Sequence, residues 1–84
     1  MTWFVSALLA AVLLDTPLTD ADQEARALAL MREIRCVACE NEPVSQSAAP
    51  IAEDMRARIR ELVADGKTDA EIRHTGQRTN REFQ

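Results

Sequence analysis

The sequence predicts an all-α fold: a small three-helix bundle with a C-x-x-C in the connection between helices 1 and 2, preceded by a hydrophobic segment resembling a signal or anchor. Two observations carry this expectation. Leu, Ile, Val, Met and Ala supply nearly all the apolar surface, Tyr is absent, and the only aromatics are Trp3, Phe4 and Phe83, a composition that favours helices over strands. Apolar residues also recur at helical spacing, in stretches that begin with good capping residues. A chain of 84 residues has room for one small domain and for no large substrate cavity.

From Trp3 to Leu14 the chain carries no charge, and the run stops at Asp15. At about 1.5 Å per helical residue this stretch covers about 18 Å. A hydrocarbon core is about 30 Å thick. The run therefore fits the apolar part of a secretory signal, and residues 1–17 are read as a signal peptide or amino-terminal anchor, with an amino-terminal core helix of a cytosolic protein as the alternative. If the segment is retained, Trp3 and Phe4 are suited to a membrane interface.

Residues 18–76 form the expected domain. After Pro17, Thr19 or Asp20 can cap a first helix from about Asp20 to Arg35, with Leu28, Met31 and Ile34 along one face. Glu40 to Ser47 lacks a helical period and contains Pro43, so it reads as a loop. Ser47 is the expected N-cap of a second helix, with Pro50 in its first turn, where a missing N–H costs nothing. Ile51, Met55, Ile59, Leu62 and Val63 then supply an apolar face, ended by Asp65-Gly66. Thr68-Asp-Ala-Glu71 is a capping box that starts a third helix at Asp69. Beyond Gly76 no apolar residue appears before Phe83, so residues 77–84 are expected to be a frayed tail whose removal changes stability little.

A formal net charge of −4 and the lack of a clustered Lys/Arg stripe leave no footprint for a phosphate backbone, so nucleic acid is not an expected partner. The alternating charges of Arg56-Ala-Arg58-Ile-Arg60-Glu61 read as a solvated helix face.

The residues with chemistry are Cys36 and Cys39. With two cysteines and one His, the chain lacks the usual four ligands of a structural zinc site unless carboxylates or a second subunit contribute. Glu40 follows Cys39 where a covalent haem attachment signature needs His. A structural disulfide and a redox-active dithiol remain. Closing a ring around two residues constrains the unfolded chain far less than a long loop would, whereas thiol–disulfide exchange needs two neighbouring sulfurs so that one resolves the mixed disulfide of the other. The pair follows the carboxyl end of the first helix, where the dipole does not favour a thiolate, so an ordinary rather than acidic thiol is expected.

Ile34-Arg-Cys-Val-Ala-Cys39, followed by Asn41, Val44, Ser47-Ala-Ala-Pro-Ile-Ala52 and Asp54-Met-Arg56, resembles the CcmH/CycL family of cytochrome c biogenesis proteins. The resemblance spans about Ala25 to Ile72, and Cys36 and Cys39 match the family's cysteine pair. It implies a three-helix thiol–disulfide oxidoreductase on the periplasmic side of the bacterial inner membrane, a possible subunit of a haem lyase complex. Such a protein keeps the C-x-x-C-H cysteines of apocytochrome c reduced for haem attachment. Apocytochrome c and other maturation proteins, including a thioredoxin-like reductant, are the implied partners. Haem belongs to the client, and no tightly bound cofactor is expected. Glu40 stands where the family has Gln and Pro43 where it has Ser. Family members continue through an Arg-Tyr-Gly-like segment and commonly reach a membrane span, whereas this chain reads Asn80-Arg-Glu-Phe-Gln84, which implies a shortened member. A rival expectation is a noncatalytic helical adaptor of the maturation complex.

Overall fold

A computed structural model describes residues 15–82. The signal or anchor reading of the first residues therefore falls mostly outside the described region, as does Phe83. Three helices carry the fold: α1 (Ala21–Glu33), α2 (Pro50–Ala64) and α3 (Asp69–Glu82). Between α1 and α2 lies a miniature hairpin in which β1 (Arg35–Cys36) pairs antiparallel with β2 (Glu42–Pro43), the two joined through a 3-10 turn at Val37–Cys39. Among the described residues, no helix is long and apolar enough to cross a membrane.

Helix α1 begins where expected: the Asp20 carboxylate accepts a hydrogen bond from the Gln23 N–H at 3.0 Å. Asp22 and Glu24 in its first turn complement the positive end of the dipole. Its buried residues are Ala27, Leu30 and Met31, followed by Ile34 just past its end. Leu28 corrects the expected apolar face, because it is left exposed while Leu30 is buried. A helical stripe follows a period of 3.6, and strict steps of three drift off it.

Helix α2 buries Ala52, Met55, Ile59, Leu62 and Val63 and packs chiefly on α1. Its cap is Ala49 rather than Ser47. The Ser47 hydroxyl accepts from the Ala49 N–H at 3.1 Å, forming a tight turn before the helix. Pro50 supplies the first helical residue, where its fixed φ and missing N–H suit the position.

Helix α3 carries the expected capping box: the Glu71 N–H donates to the Thr68 hydroxyl at 3.2 Å, and the hydroxyl donates to the Glu71 carboxylate at 3.0 Å. It continues to Glu82, so residues 77–82 of the expected tail are helical in the structure. Ile72 is its buried apolar anchor. The helix lies along α1 in the same chain direction. The Arg26 guanidinium bonds Asp69 at 2.6 Å and also reaches the Lys67 carbonyl, and Arg73 pairs with Glu33 at 2.8 Å. This alignment carries the end of α3 to the hairpin.

Candidate functional site

The site begins where α1 stops. Ile34 turns extended, with φ −83° and ψ 122°, and its N–H still donates to the Leu30 carbonyl. The returning strand closes the helix end: the Val44 N–H donates to the Ile34 carbonyl at 2.8 Å and the Ser45 N–H to the Met31 carbonyl at 3.1 Å. Helix-terminal carbonyls that would otherwise lack partners are thus satisfied by the hairpin.

The register places Arg35 opposite Pro43 and Cys36 opposite Glu42. Because Ile34 bonds across to Val44, the alternation of an antiparallel ladder makes Arg35 and Pro43 a non-hydrogen-bonded pair. Pro43 sits where no N–H is required, which is why a proline is compatible with a strand here. The loop expected over Glu40–Ser47 is therefore corrected at Glu42 and Pro43.

Glu40 and Asn41 both have positive φ, 61° and 62°. Asn tolerates this left-handed conformation, whereas Glu adopts it at a cost. The Arg35 guanidinium donates to the Asn41 carbonyl at 3.0 Å and holds the turn against its own strand.

Cys36 and Cys39 form a disulfide with their Cα atoms 5.2 Å apart. The two cysteines are 1% and 5% exposed, so the sulfur pair belongs to the same buried cluster as Met31, Ile34 and Val44. Reaction with an outside sulfur requires the cover over this cluster to part. Among the described residues, no group of three or more His, Cys, Asp and Glu is placed to hold a metal ion.

Two side chains at the site carry roles that the sequence reading missed. Asn80 accepts from the Val37 N–H at 3.1 Å and donates to the Arg35 carbonyl at 2.6 Å, bracketing Cys36 with one carboxamide. Arg56, read from the sequence as part of a solvated face, is mostly buried. Its guanidinium donates to the carbonyls of Val44 and Ser47 at 2.9 and 2.8 Å, and it pairs with Asp15 at 2.8 Å. That hydrogen bond holds the Asp15 carboxyl below its ordinary pKa and raises that of Arg56, with burial opposing both shifts. No periodicity in the sequence announces Asn80. Arg56 carried a signal, since it lies one position from Met55 at the edge of the apolar face.

A helical domain with a C-x-x-C disulfide on a hairpin between its first two helices defines a class of small disulfide-bearing helical protein. The comparisons identify the class more narrowly. The model of the CcmH family, described as cytochrome C biogenesis protein, matches residues 1–78, and the chain belongs to that family. It is similar to the cytochrome c-type biogenesis protein CcmH of Bradyrhizobium diazoefficiens, 40% identical over 58 residues, covering 69% of this chain and 36% of the relative. The CcmH of Pseudomonas fluorescens is 42% identical over 53 residues, 63% of this chain and 33% of that protein. The formate-dependent nitrite reductase complex subunit NrfF of Escherichia coli is 38% identical over 50 residues, 60% of this chain and 39% of its own. The alignment thus spans well under half the length of these relatives. No solved structure matches the chain.

Proposed function

We propose that Cys36 and Cys39 are a redox pair that keeps the C-x-x-C-H cysteines of apocytochrome c reduced during cytochrome c biogenesis, on the periplasmic side of the bacterial inner membrane. The observation that carries this reading is the Cys36–Cys39 disulfide itself, closed across two residues in a hairpin between helices. So short a ring adds little stability, whereas neighbouring sulfurs suit exchange.

In the reduced protein, one thiolate attacks a sulfur of the client disulfide; a mixed disulfide forms and the other client sulfur leaves as a thiolate that takes up a proton. The second cysteine, as thiolate, then attacks the mixed disulfide and releases the first client sulfur. The client gains two electrons and two protons, and the protein ends as the Cys36–Cys39 disulfide. A thioredoxin-like dithiol partner restores the reduced form by the same exchange in reverse. Haem is joined to the client and is not a resident group of this chain. Membership of a haem lyase complex and attachment to the inner membrane belong to the same proposal.

The near-complete burial of both cysteines favours a second reading, a noncatalytic helical adaptor of the maturation complex whose disulfide is structural. One experiment separates them. The reduced protein is incubated with a peptide bearing an oxidised C-x-x-C-H site, and released peptide thiols are measured. Release, with a mixed adduct trapped by Cys39→Ser but not by Cys36→Ser, supports exchange with Cys36 attacking first. The opposite trapping pattern reverses the roles. Absence of both release and adduct at every pH tested overturns the redox reading, and partner docking that survives replacement of both cysteines by Ser then supports the adaptor.

A further inference from the structure

The two ladder edges of β1 are occupied differently. Ile34 directs its carbonyl to Val44 of the returning strand, so the alternation along an extended chain turns the Arg35 carbonyl and the Val37 N–H to the opposite edge. Cys36 between them is extended, with φ −104° and ψ 107°. A carbonyl of one residue and an N–H two residues later form the pair that a parallel adjoining strand engages with the N–H and C=O of a single residue, and an antiparallel one with groups of residues two apart. Here the occupant is a side chain. The Asn80 carboxamide presents its oxygen to Val37 and its N–H to Arg35, the same acceptor and donor that an adjoining strand would bring to this edge.

Beside this edge runs an open groove of about 400 Å³, lined by Arg35, Val37, Asn41, Gln77 and Asn80 together with the Glu33–Arg73 ion pair. The pair offsets its own two charges, while the Arg35 guanidinium rests on the Asn41 carbonyl. Val37 adds an exposed apolar side chain next to the cysteines.

We infer that the outer edge of β1 is a docking strand for an extended, cysteine-containing peptide, and that Asn80 is an internal stand-in for that peptide's backbone, displaced when the peptide binds. The inference rests on the proposed exchange reaction for its purpose and names how the client is presented. Backbone hydrogen bonds supply sequence-tolerant affinity, as in other cases of strand addition. Register supplies the chemistry, because the peptide residue directly opposite Cys36 has its Cβ about 5 Å from that of Cys36. A cysteine at that position is within reach of the Cys36 sulfur, and the same displacement releases the backbone on either side of Cys36 from α3.

The test uses the full oxidised chain and a short synthetic Ser-x-x-Ser-His peptide, which cannot exchange electrons, so binding is read independently of the redox reaction. Removing the competitor lifts the cost of displacing it. Asn80→Ala and Asn80→Ser are expected to bind this peptide about fivefold to a hundredfold more tightly than the unaltered chain, the range set by the two net hydrogen bonds no longer displaced. Backbone N-methylation of the peptide at the residue that replaces the Asn80 donor should abolish the gain. In the unaltered chain, peptide addition should move the Asn80 side-chain amide resonances toward those of a free carboxamide, a readout that needs no variant to fold. Equal or weaker binding by the folded variants, no loss on N-methylation, or Asn80 resonances unmoved at peptide saturation would each overturn the inference. Tight binding of the serine peptide without thiol release from its cysteine counterpart would leave docking standing and sink the exchange reaction instead.

Discussion

Gly76 of α3 lies so close to Ile34 that a Cβ on the glycine would stand 3.0 Å from the Ile34 Cγ2. Ile34 is buried and is the residue from which the cysteine hairpin departs. The approach of α3 to the site is thus set by the absence of a side chain at position 76. Gly76→Val should destabilise the protein by about 1–3 kcal/mol, because added methyl groups overpack a buried contact. Chemical denaturation followed by circular dichroism measures this, and an unchanged midpoint would show that the contact gives way freely.

Truncation after Gly76 removes Asn80 and with it both hydrogen bonds to the backbone around Cys36. The sequence alone predicts a small effect, because residues 77–82 carry no periodic apolar surface. With the helix formed to Glu82, a loss of about 1–3 kcal/mol is expected instead, from two net hydrogen bonds. Reduction of the Cys36–Cys39 disulfide by a small dithiol should also become faster, since α3 no longer holds the hairpin. Thiol release with time checks the second outcome.

The helices were legible because their signals are local. Asp20 and the Thr68–Glu71 pair cap helices in the structure as their positions in the sequence imply, and the α2 face from Met55 to Val63 is buried as its period requires. Cys36 and Cys39 could be singled out from their spacing alone. The strand pairing and the Asn80 bridge could not. A two-residue strand has no period to detect, and Asn80 acts on residues 45 and 43 positions earlier in the chain. An Arg in an alternating charge run likewise looks solvated until the carbonyls of Val44 and Ser47 are seen converging on it.

Those carbonyls make Arg56 a tie between α2 and the connection that follows the hairpin. Arg56→Ala leaves the Val44 and Ser47 carbonyls without this donor and should cost about 1–3 kcal/mol. Arg56→Lys should recover only part of that loss. An ammonium cannot reproduce the planar fork that serves two carbonyls and Asp15 together. Equal denaturation midpoints for Lys and Arg at this position would show that charge alone suffices.

Glu24 and Arg60 join α1 to α2 through two hydrogen bonds, each 3.0 Å, and Glu24 also accepts from the Leu18 N–H at 3.0 Å. The Arg60 guanidinium, aided by Leu18, holds the Glu24 carboxyl below its ordinary pKa, and burial opposes the shift only in part. A carboxyl whose pKa is lower folded than unfolded contributes stability above its unfolded value, about 4.3 for Glu. That contribution declines as pH falls through the unfolded pKa toward the folded one. Asp15, lowered mainly by its hydrogen bond to Arg56, acts in the same direction. Stability should therefore fall with acidification below about pH 4.3, the unfolded state then binding more protons than the folded one. Glu24→Gln removes this titration and should flatten the acid limb relative to the unaltered chain, while lowering stability at neutral pH because Arg60 loses its nearer charged partner and keeps Asp15 at 3.5 Å. Denaturation midpoints across the acid range for both proteins provide the check, and parallel curves would show that Glu24 contributes nothing to the pH dependence.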